Sequence, residues 1–449
     1  MLLNFAELDL KNKGELYHSL YKCIRDAAIN SDIKKGEKLP SIREAAMQLG
    51  VSRTTVENAY MRLCIEGFAE SRPQRGYYIT GSKGKTHITP IINPEKNNIE
   101  YDFSSRSVDT SVSDTLLWKR LVRRVLWDSE ELTSYGDCQG EYGLRSAIAD
   151  YSYKSRGVLA KPENIVIGAG IGPLLNILCG LIGREHKVGF ENGGFQTAQS
   201  IFADYGIESC SLESDSNGAI IESIEKEKTD ILFLMPSRLS KISPSSVSRR
   251  RNEFSNWATK GKRLIIEDDY NGELRYTARA VPAFQGKSPE KTVYIGSFSK
   301  LLLPSVRIAY MVLPDYLKEA FEKRKENLNG TCGKVEQLAL KEYISRGEME
   351  KHLRKLRRLY NFKSRILCEE LKKYLCFKNI TLYESSLMVE VETNLKIESE
   401  VIFKKALNRG LLIMPSNIRG GIKLCFGGIS GEKIPEAVEI LAEIVNEKT

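Results

Sequence analysis

Apolar positions recur at helical spacing close to the start of the chain. Leu16, Leu20, Cys23, Ile24 and Ala27 form one stripe, Ile42, Ala45, Ala46 and Leu49 a second, and Val56, Ala59, Tyr60 and Leu63 a third. Ser41 stands three residues before Glu44, the spacing of a capping box, and Ser52 is placed to cap the third helix after a Gly50-Val51 turn. Two helices joined by about four residues make a helix-turn-helix. FAESRPQRGYYIT (68–80) then reads as two strands around a basic turn, a wing. The polar start of the third helix, Arg53-Thr54-Thr55, is left to face outward.

Beyond residue 100 the rhythm changes. Short β-branched runs, NIVIGA (164–169), KVGF (187–190), DILFLM (230–235), RLIIED (263–268) and TVYIGSF (292–298), alternate with helical stretches, which predicts a parallel sheet covered by helices. From about 315 the pattern is helical and charge-rich, and strands return near 381–392 and 422–426, as in a smaller α/β subdomain. The expected division is therefore a head over 1–80, a linker over 81–100 rich in Gly, Ser, Pro, Asn and Lys, and a body over 101–449, whose large part runs to about 315 and whose small part spans 316–449.

Composition narrows the class of molecule. With 449 residues, 41% hydrophobic and 28% charged, the chain is in the globular range. Its longest apolar stretch, PLLNILCGLIG (173–183), is about half a membrane span, and the polar N-terminal region lacks the pattern of a secretory signal. Nine scattered cysteines without a CxxC pair read as reduced thiols, so a cytoplasmic location is expected. The histidines at 18, 87, 186 and 352 have no metal-ligand spacing, and no metal site is expected. The formal charge of +9 suits a polyanionic partner, but twelve basic and ten acidic side chains leave residues 1–80 at only +2. Binding of nucleic acid would then rest on a few placed contacts.

Three segments of the body carry chemistry. SFSKLLLPSVRIAY (297–310) sets Lys300 in a small-residue turn after a strand, with Ser297, Ser299 and Arg307 nearby, and hydroxyls with a guanidinium suit a phosphate. IIEDDYNGELRY (265–276) ends a strand on Asp268 and Tyr270. IVIGAGIGPLLNIL (165–178) is a strand, a glycine turn and a helix, so the backbone at Gly170, Ile171 and Gly172 would meet an anion. A lysine for a Schiff base, an acid for a pyridine nitrogen, a phosphate cradle and a face for the ring are what pyridoxal phosphate requires of a protein, and the Tyr270 phenol could bond the ring 3-oxygen. Singly, each segment also fits an ion pair or an ordinary tight turn.

LPSIREAAMQLGVSRTTVENAYMRLCIEGF (39–68) with the RGYYI wing resembles the GntR superfamily of winged-helix regulators. YGDCQGEYGLRSAIADYSYKSRGV (135–158), the glycine turn, EDDY and SFSK resemble the fold-type I aminotransferase domain of MocR-type regulators, the subfamily with this domain fused behind the winged helix. The resemblance implies DNA contacts from Arg43, Ser52, Arg53, Thr54, Thr55, Arg75 and Gly76, with double-stranded operator DNA as partner. It implies Lys300 as the Schiff-base lysine, Asp268 at the pyridine nitrogen, Tyr270 at the 3-oxygen, and Ser297, Ser299 and Arg307 at the phosphate, with Tyr135 reaching the partner subunit's phosphate in a head-to-tail homodimer.

Four departures from the family pattern concern ligand and activity. The loop usually written PSHQFPTG is PSRLSKIS (236–243), with Arg238 and Leu239 at the His-Gln pair and Ser243 at the glycine. NGGF (192–195) leaves Phe195 to stack on the ring without a phenol, and Gly172-Pro173 removes polar side chains from the glycine turn. In GIKLCFGGI (421–429), Lys423 replaces the arginine that clamps a substrate carboxylate, and Arg106, Arg238 and Arg419 are candidate substitutes. The leading expectation is a regulator sensing pyridoxal phosphate, or an amine or amino acid that reacts with it, with Lys423 and Arg238 at the effector. The alternatives are an active aminotransferase carrying a DNA-binding head, a body reduced to a dimerisation scaffold, and, on the glycine turn alone, an NAD-dependent enzyme.

Overall fold

The computed structural model describes the chain except residues 1–15, 30–32, 81–98, 105–107, 110, 113–114, 129, 192–194, 216–217, 237–243, 277–281, 329, 384–385, 394–398, 417, 419 and 448–449. It divides into two compact units, Met1–Glu95 and Lys96–Thr449.

In the first unit, helices α1 (Leu16–Ile29), α2 (Ile42–Leu49) and α3 (Arg53–Ile65) precede the antiparallel hairpin β1 (Ala69–Arg72) and β2 (Gly76–Ile79). The Ser41 hydroxyl accepts from the Glu44 N–H, Ser52 accepts from the Thr55 N–H, and Gly50 closes α2 in the left-handed region at φ 64°. Val56, Ala59, Tyr60 and Leu63 are buried as their spacing requires. The buried stripe of α1 is rotated from the expected one. It consists of Leu20, Tyr21, Ile24 and Ala28, because the Tyr21 ring goes inward while its hydroxyl donates to Glu66.

The second unit begins with β3 (Tyr101–Asp102), α4 (Thr115–Asp128) and α5 (Tyr142–Arg156). Its central elements are β4 (Ile165–Gly168), α6 (Ile171–Ile182), β5 (Lys187–Glu191), α7 (Gln196–Asp204), β6 (Glu208–Leu212), a small β7–β8 hairpin (Ser214–Asp215, Gly218–Ala219), α8 (Ile221–Lys226), β9 (Ile231–Leu234), α9 (Pro244–Ala258), β10 (Leu264–Asp268), β11 (Thr292–Ser297) and β12 (Ala309–Val312). Seven strands form one sheet in the order β4-β12-β11-β10-β9-β5-β6. The sheet is mixed, which corrects the expectation of a parallel one: β12 runs antiparallel to both β11 and β4. The chain returns from Ser297 to Ala309 by a loop instead of a crossover helix, and a loop return permits an antiparallel neighbour. Alternation along β4 sends Ile165 and Ile167 into one apolar cluster and Val166 into another, so the sheet is covered on both faces.

Helices α10 (Asp315–Glu322), α11 (Lys334–Ser345) and the 25-residue α12 (Glu348–Lys372) lead to β13 (Phe377–Tyr383), β14 (Met388–Thr393), α13 (Ser399–Asn408), β15 (Leu411–Leu412), β16 (Met414–Pro415), β17 (Gly421–Cys425) and α14 (Ile434–Asn446). A second sheet has the order β13-β14-β17-β16, and Val389, Val391, Ile422 and Leu424 line its core side. β3 pairs in parallel with β15, so the first strand of this unit joins the C-terminal part.

Candidate functional site

Strand ends and one loop assemble the candidate cofactor site. β10 ends on Asp268, which is 5% exposed and shares its strand face with Leu264 and Ile266. Those two lie in the apolar cluster against which Phe195, at the start of α7, is partly buried. The neighbouring acid is committed elsewhere. Asp269 takes two hydrogen bonds from the Arg156 guanidinium, at 2.6 and 3.2 Å, and one from the Tyr294 hydroxyl at 3.0 Å. Asn271 then turns the chain in the left-handed region, at φ 62°.

Around this pair the interior is strongly polar. Burial, and then the charge of Asp269, push the Glu267 and Glu273 carboxyls up to about 7. Glu267 accepts from the Phe284 and Gln285 N–H groups, and Glu273 from the Tyr151 hydroxyl. None of this was legible in the sequence, because Arg156 and Tyr151, the partners of Asp269 and Glu273, lie more than a hundred residues away along the chain, and Tyr294 meets Asp269 only across the sheet.

After β11, Phe298, Leu301 and Leu302 are buried and pin the turn that carries Lys300, itself 8% exposed. The Lys300 Nζ lies 5.6 Å from the centre of the Tyr270 ring. The Ser297 hydroxyl accepts from the Ser299 N–H at 3.3 Å, and Arg307 reaches the Ser299 hydroxyl at 3.4 Å. The same guanidinium lies against Gly170, where a Cβ would stand 2.6 Å from its terminal nitrogen, and Gly170 has φ 110°. Gly170 is the N-cap of α6 and supplies no side-chain cap, so the amides of Ile171 and Gly172 open toward this corner without one; Pro173 has no N–H to offer. Thus Ser297, Ser299, Arg307 and Gly170-Ile171-Gly172, which are far apart in sequence, converge on one electropositive corner. Tyr135 is fully exposed within the single chain.

These residues fit pyridoxal phosphate: a glycine is needed where the guanidinium approaches, donors and fixed charge gather at a helix start, and a buried lysine faces a phenol ring.

The effector candidates fall out differently. Lys423, on β17, lies opposite Glu390 on β14, and its Nζ is 3.7 Å from Glu390 Oε1. Arg238 lies outside the described residues, as do Arg106, Arg419, Leu239 and Ser243. The sequence reading did not find Glu390. Its only signal was an acid in an alternating strand, which by itself reads as a solvated face.

In the first unit Arg43, Ser52, Arg53, Thr54 and Arg75 are exposed, whereas Thr55 and Gly76 are half-buried. The Ser52 and Thr55 hydroxyls lie 2.8 Å apart and share the cap of α3. Gly76 needs its φ of 100° to leave the wing turn. Arg72 stacks over the Tyr78 ring at 4.4 Å, and the Tyr78 hydroxyl donates to the Arg75 carbonyl, which stiffens the turn presenting Arg75.

Residues 16–79 match the family described as "Bacterial regulatory proteins, gntR family". Over 443 residues the chain is 33% identical to the HTH-type transcriptional regulator YdeL of Bacillus subtilis, covering 95% of this chain and 96% of that protein. It is 26% identical to the probable rhizopine catabolism regulatory protein MocR of Rhizobium meliloti, covering 97% and 94% respectively. Among solved structures, an archaeal alanine:glyoxylate aminotransferase superposes with a TM-score of 0.69 at 20% identity, over 78% of this chain and 91% of that one. At such identity that likeness speaks for the fold alone. Among the described residues no helix is long and apolar enough to cross a membrane. Relatedness over nearly the full length to regulators, a matching head and an aminotransferase-type body together make the chain a DNA-binding transcriptional regulator of the GntR family, in its MocR-type branch.

Proposed function

We propose that this regulator holds pyridoxal phosphate in its body and reads either the cofactor itself or an amine or amino-acid effector that reacts with it. When bound, the cofactor supplies an electrophilic carbon toward primary amines. Lys300 is the attachment point, Asp268 the partner of the ring nitrogen, Tyr270 the donor to the 3-oxygen and Phe195 the ring's stacking face. Ser297, Ser299, Arg307 and the amides at Gly170, Ile171 and Gly172 hold the phosphate. The observation that carries this reading is the meeting of Arg307, Ser299 and Gly170 at the uncapped start of α6. Asp269 is a poor alternative to Asp268, because its oxygens already take donors from Arg156 and Tyr294.

Operator DNA is contacted by Arg43, Arg53, Thr54 and Arg75, with Ser52, Thr55 and Gly76 shaping the reading surface. The protein acts in the cytoplasm as a head-to-tail homodimer, in which the exposed Tyr135 reaches the partner's phosphate site. An effector moves the DNA-binding units only if it binds one dimer conformation better than the other. Sensing needs binding and no turnover, so the body acts as a sensor and not as a working aminotransferase.

The decisive test is the absorption spectrum of purified protein mixed with pyridoxal phosphate. Wild type is expected to show the visible band of lysine-bound cofactor, and borohydride to fix the label on the peptide containing Lys300. Lys300→Ala is expected to lose both. A label on another lysine would refute the assignment, and no band in wild type would favour the scaffold reading.

A further inference from the structure

The second sheet has a core face and an opposite face. On the opposite face stand Met388, Glu390, Lys423 and Cys425, with Met414 on the neighbouring strand. At Cys425 this face comes within electrostatic reach of Lys300 in the candidate cofactor site. The Cys425 thiol is pushed up by burial and drawn back by two nearby ammoniums, Lys300 and Lys423. Its sulfur lies 3.6 Å from that of Met414.

Glu390 is the most heavily engaged group there. Its side chain is 12% exposed, and it accepts from the Ser416 hydroxyl at 2.5 Å and the Tyr383 hydroxyl at 3.1 Å, with the Lys423 ammonium at 3.7 Å. Burial and the Glu390 charge push the Tyr383 phenol up, so it stays protonated and keeps donating. Ser416 is itself fixed, since its oxygen accepts from the Ile418 N–H. Two hydrogen bonds and an ion pair leave the carboxylate no tendency to swing away.

Lys423, the one cation on this face among the described residues, is therefore already balanced by an internal carboxylate. A ligand carboxylate reaching for Lys423 would also approach Glu390, and a lysine cannot form the paired contacts with which an arginine holds a carboxylate. An ammonium or hydroxyl on the ligand would instead find an ordered acceptor.

From this geometry we infer that Glu390 makes the effector pocket select a primary amine that lacks an α-carboxylate and bears a cationic or hydroxylated far end. The inference rests on the cofactor reading above and names the class of effector it would admit. Recognition of the far end would accompany an exchange at the cofactor in which one C=N bond forms as another breaks, with two of the incoming ammonium's three protons ending on the Lys300 nitrogen.

Ornithine and 1,4-diaminobutane form a minimal pair, differing only in the carboxylate. Each is titrated into full-length, cofactor-loaded protein, with the shift of the cofactor band and the heat of binding as readouts. The diamine is expected to half-saturate the wild type at a concentration at least tenfold lower than ornithine. Glu390→Gln is expected to reduce that preference to threefold or less, because Lys423 is released to meet the carboxylate. Lys423→Met is expected to keep the preference while Glu390 remains, and it serves as the check if Glu390→Gln does not load. Equal or tighter binding of ornithine by wild type overturns the inference, as does a preference untouched by Glu390→Gln or a band that neither ligand shifts. Absence of any cofactor band overturns the cofactor reading and this inference with it, whereas a band that responds to ornithine first overturns this inference alone.

Discussion

Gly170→Ala tests whether the corner at the start of α6 holds a phosphate. The substitution has two separable consequences. The backbone at Gly170, with φ 110° and ψ −179°, lies in a region that is essentially restricted to glycine, so an alanine there costs about 1–3 kcal/mol of stability. The new Cβ would also sit 2.6 Å from the Arg307 terminal nitrogen. A guanidinium at the end of a long side chain yields more easily than backbone, so Arg307 moves out of its position. Losing one charge-assisted hydrogen bond to the phosphate costs roughly 1.5–3 kcal/mol, which is about a 10- to 150-fold weaker affinity for pyridoxal phosphate. Titration of the apoprotein with cofactor, followed at the visible band, measures the second effect, and denaturant melting of the apoprotein measures the first. Arg307→Lys keeps the charge and loses the planar fork, so its affinity should lie between those of wild type and Gly170→Ala. Wild-type cofactor affinity in Gly170→Ala, with the stability loss present, would show that the phosphate is bound elsewhere.

Arg53→Ala and Arg75→Ala should each weaken operator binding by about 1–3 kcal/mol in gel-shift or anisotropy assays while the cofactor band stays intact, and wild-type affinity in both would refute the proposed reading surface. Glu273 is raised to about 7 by burial and then by the charge of Asp269, so the folded state keeps a proton that the unfolded state releases above its ordinary value of 4.5. That contribution is complete below 4.5 and is lost as pH rises through about 7. Glu273→Gln, which never ionises, should therefore gain stability relative to wild type between pH 5.5 and pH 8 in urea melts. A difference between the two proteins that does not change with pH would place the titration on another group.

Local signals carried much of the fold. The caps at Ser41 and Ser52, the left-handed Gly50 and the stripe Val56-Ala59-Tyr60-Leu63 are short-range features, and the structure realises each of them. Every central strand that reads as a β-branched run is a strand, whereas the edge strand ESCSL (208–212) escaped because its residues are largely polar and exposed. The stripe of α1 was misjudged by one position because a tyrosine can bury its ring and still satisfy its hydroxyl. The antiparallel direction of β12 depends on how the chain returns from Ser297, and strand composition does not record that. In the site, Lys300, Arg307 and the glycine turn were visible as motifs. Glu390 and the Arg156–Asp269 pair were not, since each owes its meaning to a partner brought near only by folding.

Adjacent carboxylates at the end of β10 tie hydrogen-bonding register to chemistry. Asp268 and Asp269 are consecutive, yet one ends the strand on the side of the proposed cofactor site while the other is locked to Arg156. Both neighbours of β10 run parallel to it, with Leu264 opposite Ile231 and Asp268 opposite Ile295, so this central strand cannot slide without breaking two ladders at once. A single-residue deletion in Leu264–Ile266 would leave the acidic dipeptide intact but exchange the sides that its two members face. Arg156 would then lose the acid to which it is locked, and Asp269 would stand where the proposed partner of the ring nitrogen belongs. Insertions and deletions are therefore far less tolerable in these three residues than in the connections at either end of the strand, although the three contribute nothing to the site except length.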